Sequence, residues 1–428
     1  MTLGAGALLL AGLRLPVSQF LSSSVVGPGA SPPDDLVGQV TLLQFGVEPF
    51  LATFVLVELV ALLVPALRPR RVGSAAARAP LFWSAMGLGT LAMASRIVTL
   101  LQWVRASDLG GLFPAPPMLA AQLGLAAVAM LALLFISTRH GLLDGFALMA
   151  LVEAVSLGAT QLGRLRRGVE LETLTPAAVV LHVGVLSAAV AFAVWRARRS
   201  LPTAAGPEQL TVPSPASGLD PWILGASLLT LPATFASLLG RQASGVSVTD
   251  TALGFGLNAF LGLDAALILG FLFFRPKAVG ALWARWVKGV DEAGVVLAAR
   301  ARLPRVLAEA AALAVGAPLV VSVVLTSLRL PSGGWLTVQA MAAALVGLDA
   351  TREWRARRRL GALVSVRPVH RLAELQPLLH LLAREGIEAF PRSVAYRATL
   401  QFFGPQVPIE LLVPAAQADA ARQVLDGR

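Results

Sequence analysis

The chain of 428 residues contains no cysteine, which excludes disulfides and thiolate ligands. Its four histidines are scattered, none in an Asp/His or Glu/His cluster, and leave little material for a metal site. Charge is scarce as well: 14% of the residues are Asp, Glu, Lys or Arg, where a soluble domain carries about 25%. Apolar residues take their place, at 56% of the chain with a mean hydropathy of +0.73. A chain so composed is dissolved mostly in lipid. Residues 1–13 have no basic n-region and no small-residue cleavage site after them, so they read as a shortened first helix and not as a signal peptide. No nucleophile–base or acid–base pair recurs at a common membrane depth, and an enzyme is not expected. The net charge of +11 would suit nucleic acid, but the arginines cluster between apolar runs, as they do where a membrane protein fixes its orientation.

A spanning helix needs about 20 mostly apolar residues. Ten runs qualify: 2–20, 46–67, 81–103, 118–137 and 142–162, then 177–195, 218–239, 252–274, 306–325 and 335–348. Loop charge alternates along them. One side carries Arg68, Arg70, Arg71 and Arg78, then Arg139, then Arg196, Arg198 and Arg199. It continues with Arg275, Lys277, Arg285, Lys288 and Arg300, and ends with Arg352, Arg355 and three arginines at 357–359. The other side has Asp34 and Asp35, Arg105 against Asp108, Arg241 against Asp250, and Arg329. Only 163–174 breaks the alternation. The basic side is cytoplasmic by the positive-inside rule, which puts both termini inside.

The segment Gly46-Val-Glu-Pro-Phe-Leu-Ala-Thr-Phe54 returns, loosely, as Gly218-Leu-Asp-Pro-Trp-Ile-Leu-Gly-Ala226. Each copy opens an apolar run, with Pro in the first turn, where its missing N–H costs nothing. An acid beside the Pro complements the helix dipole. Five spans separate the two starts, and an odd number of crossings turns a chain over. The copies therefore enter the bilayer from opposite faces, as inverted repeats do, and such repeats build a path at their interface.

From Gly361 onward charges of both signs appear and apolar runs shorten. Residues 363–367 alternate like a strand, 372–384 have helical spacing stopped by Gly386, 387–390 and 409–413 read as strands, and 415–425 as a closing helix. The expected fold class is therefore an all-α polytopic membrane protein, ten helices in two inverted halves (about 1–165 and 175–360). A small cytoplasmic α+β module, 361–428, completes it.

These segments match a family. The stretch from Gly218 to Ser237, with its Pro-Ala-Thr-x-Ala-Ser end, resembles the seventh helix of SecY, the protein-conducting channel. Phe274-Arg-Pro-Lys-Ala-Val279 is similar to the close of that family's helix eight, and Thr138-Arg-His-Gly-Leu-Leu-Asp-Gly145 to the turn before helix five. Arg198-Arg-Ser-Leu-Pro202 resembles the segment after helix six, and Gly347-Leu-Asp349 the end of helix ten. The resemblance implies two five-helix halves around an hourglass pore, with a lateral gate between helices two/three and seven/eight. It puts the apolar pore ring on Val47, Leu51, Phe146, Ala150 and Ile223. On helix ten, one count selects Gln339 and another Ala342. The spacing in Val47/Leu51 and Phe146/Ala150 puts each pair on one helix face. A narrow apolar collar dewets and blocks ions, and ordinary helix packing would use the same residues. Residues 18–44 fall where the family carries its plug.

An ionisable group at bilayer depth costs about 2.5–3.5 kcal/mol on insertion scales, so it faces protein or water. Glu58 and Glu153 are expected to make the lateral gate polar and the vestibule wet. Arg96 and Asp264 are read as structural interhelical partners, His182 as bonded to a backbone carbonyl, and His140, His370 and His380 as surface.

The resemblance also implies SecE-like and SecG-like subunits, an unfolded polypeptide as substrate, surrounding lipid, no cofactor and no nucleic acid. Arg198, Arg199, Lys277 and Arg285 lie where the family docks the SecA motor or the ribosome. That surface departs from the family: the loop after helix six, 196–216, is short, 280–305 lacks the family's Gly/Pro-rich stretch, and the amphipathic helix before span one is missing. The module is foreign to SecY and resembles small ferredoxin-like domains of a signal-transducing type. Three functions follow: a translocation channel of the inner membrane with altered docking, a regulatory or assembly protein on the same fold, or a small-solute carrier. The carrier would need a polar midplane site, which the apolar ring positions disfavour.

Overall fold

The computed structural model of the chain describes residues 2–14, 41–43, 45–46, 48–71, 75–106, 115–140, 145–219, 221–222, 224–225, 252–327, 334–399 and 409–427. They form two compact units. The first (1–57, 80–163 and 232–245) holds α1 (Thr2–Arg14), the start of α2 (Glu48–Leu63), and most of α3 (Ala75–Ala106), with α4 (Pro116–His140) and most of α5 (Gly145–Glu170). Its helices pack through small residues and rings. A Cβ at Gly89 of α3 would come within 2.4 Å of the Phe50 ring of α2, so only glycine lets these two helices approach so closely. Phe82 meets Phe54 and Phe135, with ring centroids 5.8 and 6.1 Å apart. The Thr53 hydroxyl reaches across to Ala85 O at 3.0 Å.

The second unit (58–79, 164–231 and 246–428) begins with the end of α2 and the first turn of α3. It continues through α6 (Pro176–Arg199), α7 (Ala252–Phe273), α8 (Pro276–Trp286) and α9 (Glu292–Ala311). A π-helical turn, Ala312–Gly316, joins α9 to α10 (Ala317–Ser327), and α11 (Gly334–Leu360) follows. Within the membrane region of this unit, Trp222, Ala266, Leu313, Ala314 and Met341 form one buried cluster.

Among the described residues, five helices are long and apolar enough to cross a membrane: Ala77–Gln102, Pro116–Ser137, Pro176–Arg199, Gly256–Trp286 and Glu292–Leu325. The segments Gly4–Arg14 and Thr53–Leu63 are apolar but shorter. Expected span seven lies mostly outside the described residues. The outward side chains confirm the solvent: Leu125 and Val180 are each 72% exposed and Leu91 67%, which in helices this apolar faces acyl chains. The chain is a multi-pass membrane protein, with backbone polar groups satisfied inside its helices as lipid requires.

The segment after span eight, expected as a basic loop, is instead the helical hairpin α8–α9. Its sequence supplies the reason. Pro276 opens α8, Asp291 caps α9 by accepting from Ala293 N, and Val279, Trp283 and Trp286 repeat on one face of α8, where they are buried.

The C-terminal module contains β1 (Leu363–Val369), α12 (Leu372–Arg384), β2 (Phe390–Pro391), α13 (Val394–Thr399), β3 (Ile409–Pro414) and α14 (Ala418–Asp426). Strand order is β1-β3-β2, with both pairings antiparallel and a register shift between Ser365 and Arg367. Thus β1, α12 and β2 make a split βαβ unit whose gap β3 fills. The amphipathic α12 turns Leu375, Leu378 and Leu382 inward. These side chains share one core with Trp283 and Trp286 of α8, Val295 and Ala299 of α9, and Ile409 and Leu411 of β3. The module and the α8–α9 hairpin are one packed body.

Candidate functional site

The two copies of the sequence repeat adopt the same backbone signature. Gly46 has φ +50° and Gly218 φ +72°, both in the left-handed region that glycine enters without a Cβ clash. In each copy the proline follows three residues later, at Pro49 and Pro221, within helix. Gly46 also abuts Glu153 of α5: a Cβ there would lie 2.0 Å from the Glu153 carboxylate oxygen. Glu153 is half-buried.

Of the expected ring, Val47 and Ile223 lie outside the described residues. Leu51 belongs to α2, and Phe146 and Ala150 to α5, with side chains that are also outside the described set. Helix ten is described on both counts. Ala342 packs into the cluster with Trp222, Leu313 and Met341, and Gln339 is half-buried. The Gln339 Oε1 is buried and has no hydrogen-bond partner among the described residues. The plug segment likewise falls mostly outside the described residues.

Glu58 is fully buried in the second half of α2 and interacts electrostatically with Arg78, itself buried in the first turn of α3. Arg78 continues the chain of contacts: its Nη1 lies 2.6 Å from His370 Nε2. An arginine can only donate, so that nitrogen accepts and the imidazole is neutral with its proton on Nδ1. His370, expected at the surface, is half-buried, and through Arg78 it links the module to the start of α3. His380 is corrected too: its Nδ1 lies 2.9 Å from Ala204 O, and its ring is 5.6 Å from that of Trp283. His182 is buried, but its Nδ1 has no hydrogen-bond partner among the described residues. Asp264, read as an interhelical partner, is exposed on α7 and forms no ion pair among them.

The expected docking residues are exposed. Arg198 and Arg199 end α6, and the Arg199 guanidinium sits 4.5 Å over Trp195. Lys277 is in the first turn of α8, and Arg285 sits 5.3 Å over Trp286 near its end.

A dense polar site lies where the module meets the C-terminal half of α11. Asp349 accepts from Ala395 N at 3.1 Å and Tyr396 N at 2.7 Å, thereby capping the start of α13 from another element. Burial pushes its carboxyl up to about 6, although those two N–H groups and Arg352 draw it the other way. One turn on, buried Glu353 receives Arg357 at 2.8 Å and Arg392 at 3.0 Å, and Arg392 also reaches Glu410 at 3.2 Å. Gln376 of α12 is buried and fully used: Oε1 accepts from Thr211 N at 2.8 Å, while Nε2 donates to Gln209 O at 2.9 Å and Ala205 O at 3.3 Å. Trp286 Nε1 donates to Glu374 at 3.1 Å, and Arg302 to Leu210 O. The module is therefore tied to the segment after helix six, to the α8–α9 hairpin, and to helix ten. Sequence reasoning missed these residues. The one available signal was Asp349-Ala-Thr-Arg-Glu353, acids and arginine at helical spacing just past an apolar run.

No group of three or more histidine, aspartate or glutamate residues that could hold a metal occurs among the described residues. No family model matches the chain. No curated protein matches it. Several solved structures are similar, among them two channel proteins. One is a SecY protein whose plug domain is described as stabilising the closed state of the translocation channel: 14% identity, TM-score 0.49, covering 83% of this chain and 91% of that one. The other is Sec61 in the canine ribosome–channel complex of the endoplasmic reticulum, at 13% identity, TM-score 0.48, and the same coverages.

Proposed function

We propose that this chain is a SecY-like translocation channel of a cell's inner membrane: a passive pore with a lateral gate for polypeptides that cross or enter the bilayer. The observation that carries the reading is the twinned helix start, Gly46 and Gly218 in the same left-handed conformation ahead of Pro49 and Pro221. Two equivalent starts separated by an odd number of crossings give inverted halves, and inverted halves create a path between them. In this reading Val47, Leu51, Phe146, Ala150, Ile223 and Gln339 ring the waist, with Ala342 as the alternative on helix ten. Glu58 holds the inner end of helix two beside the gate, and Glu153 faces the vestibule. Both termini and the module are cytoplasmic, and SecE-like and SecG-like subunits complete the assembly.

The module alters docking. Its bonds through Gln376, Glu374 and His380 engage the two segments that carry Arg198, Arg199, Lys277 and Arg285, so a SecA-like motor or a ribosome meets a surface already partly occupied. The same bonds favour a second reading, a regulatory membrane protein that keeps the fold without transport.

The experiment replaces Val47, Leu51 and Ile223 together by asparagine and measures ion conductance of the reconstituted protein. A channel leaks, because polar side chains keep the collar wet. Unchanged conductance sinks the channel reading and leaves the regulatory one.

A further inference from the structure

A cavity of about 250 Å3 opens among the inner ends of α2 and α7, the start of α8, and the module. Arg68, Arg275, Arg371 and Arg397 line it, and no aspartate or glutamate is among its described lining residues. Arginine does not lose its proton in proteins, so the potential there is fixed and positive. Two of the four guanidiniums are already oriented. Arg68 donates to Leu62 O at 2.7 Å and Leu63 O at 3.4 Å, and Arg397, 2% exposed, donates to His370 O at 3.2 Å. The start of α8 forms part of the wall and has no side-chain cap, which adds first-turn N–H groups and the positive end of a helix dipole. The Thr211 hydroxyl, also in the lining, is buried with no hydrogen-bond partner among the described residues.

Apart from His370 the rest of the lining is apolar, with Leu62 and Phe273 from the last turns of two apolar helices and Leu372 from the module. Arg68 and Arg275 follow shortly after those apolar turns in the chain, where a spanning helix carries the cations that meet headgroups. Cavities that hold a drug-sized molecule run to about 300–1,000 Å3, so this one suits a headgroup and its glycerol.

We propose that the cavity binds a phosphate group, and that the phosphate belongs to an anionic membrane phospholipid whose chains lie along Leu62 and Phe273. A free phosphate would satisfy the arginines but leave the apolar floor in water. A lipid satisfies both, and it couples the module to the membrane surface beside helices two and eight. The site goes beyond the channel reading and needs only the membrane orientation.

The test uses the full-length protein in phosphatidylcholine vesicles with and without phosphatidylglycerol. Lipid retained after detergent extraction is measured by mass spectrometry and melting by intrinsic fluorescence. Phosphatidylglycerol is expected to be retained over phosphatidylcholine and to raise the melting temperature. In Arg275→Gln/Arg371→Gln, at two exposed positions, retention falls about tenfold or more, as the loss of charge-assisted hydrogen bonds implies. Arg300→Gln/Arg355→Gln removes the same charge away from the cavity and leaves retention unchanged. Equal retention by all three proteins, or no preference for phosphatidylglycerol, overturns the site. Soluble glycerol phosphate is the competing arm: if it raises melting as far as the lipid does, and only with Arg275 and Arg371 intact, the lipid source is overturned. Should the double variant melt lower in pure phosphatidylcholine, Arg371→Gln alone is compared in its place.

Discussion

Polar groups serve opposite ends in the membrane helices and at the module junction. In the helices most hydroxyl bonds stay within one turn: Thr90 to Met86 O, Thr99 to Ser95 O, Ser327 to Val323 O, each four residues back. Such bonds only return a polar group to its own backbone, and apolar packing brings the helices together. At the junction the bonds span distance in the chain. Asp349 reaches Ala395 across 46 residues, Gln376 reaches Thr211 across 165, and Arg78 meets His370 across 292. Helices in lipid are oriented by the membrane and need little polar specification. A small α+β module at the water edge has many ways to sit on apolar helix ends, and directional buried bonds select one.

The comparison breaks most sharply at Glu353. Glu353→Ala removes the carboxylate shared by Arg357 and Arg392, leaving half-buried Arg392 with Glu410 alone. Losing two charge-assisted bonds at about 1.5–3 kcal/mol each costs roughly 3–5 kcal/mol. The expected outcome is protease cleavage within 361–428 of the full-length protein while the membrane helices stay intact. Asp349 comes next, through pH. Its carboxyl sits at about 6, up from 3.8. A raised value means that the stabilisation is complete below pH 3.8 and is lost as pH rises through 6, by roughly 3 kcal/mol at neutrality. Relative to Asp349→Asn, the wild type therefore loses denaturant stability between pH 4 and 7, and parallel profiles would contradict the assignment. On the membrane side, Gly89→Ala drives a methyl into Phe50 and costs about 1–3 kcal/mol by overpacking, read as a lower melting temperature in detergent. The smallest effect belongs to Thr53→Val, which removes the bond to Ala85 O; interhelical hydrogen bonds in membranes average about 0.6 kcal/mol. If Thr53→Val proved as damaging as Glu353→Ala, the contrast between the two regions would fail.

Much of the helical framework was legible in the residues. Runs 81–103, 118–137 and 177–195 fall within α3, α4 and α6, 252–274 matches α7 to within one residue, and 372–384 coincides with α12. The α8–α9 hairpin was not legible as structure, because its arginines read as loop charge while its buried face, Val279, Trp283 and Trp286, shares its core with residues of the distant module as well as with α9. His370 misled for the same reason: a lone histidine beside a strand gives no sign that Arg78 will arrive from the other end of the chain. Of the candidate site, the twinned glycine-and-proline starts stood out as a repeat, but the choice between Gln339 and Ala342 did not. Both positions suit a helix, and only their neighbours differ.

Composition and periodicity alone therefore determined the solvent, most of the membrane helices, the repeat that opens two of them, and the module's strands and helices. These are local properties, set by burial of apolar side chains in lipid and by which residues can start or stop a helix. Tertiary structure alone decided how the module sits on helix ten and the α8–α9 hairpin, which acids become buried, and that four arginines surround one cavity. Those outcomes join residues far apart in the chain, and their energies depend on desolvation and on the angle of each bond, neither of which exists until the parts have met.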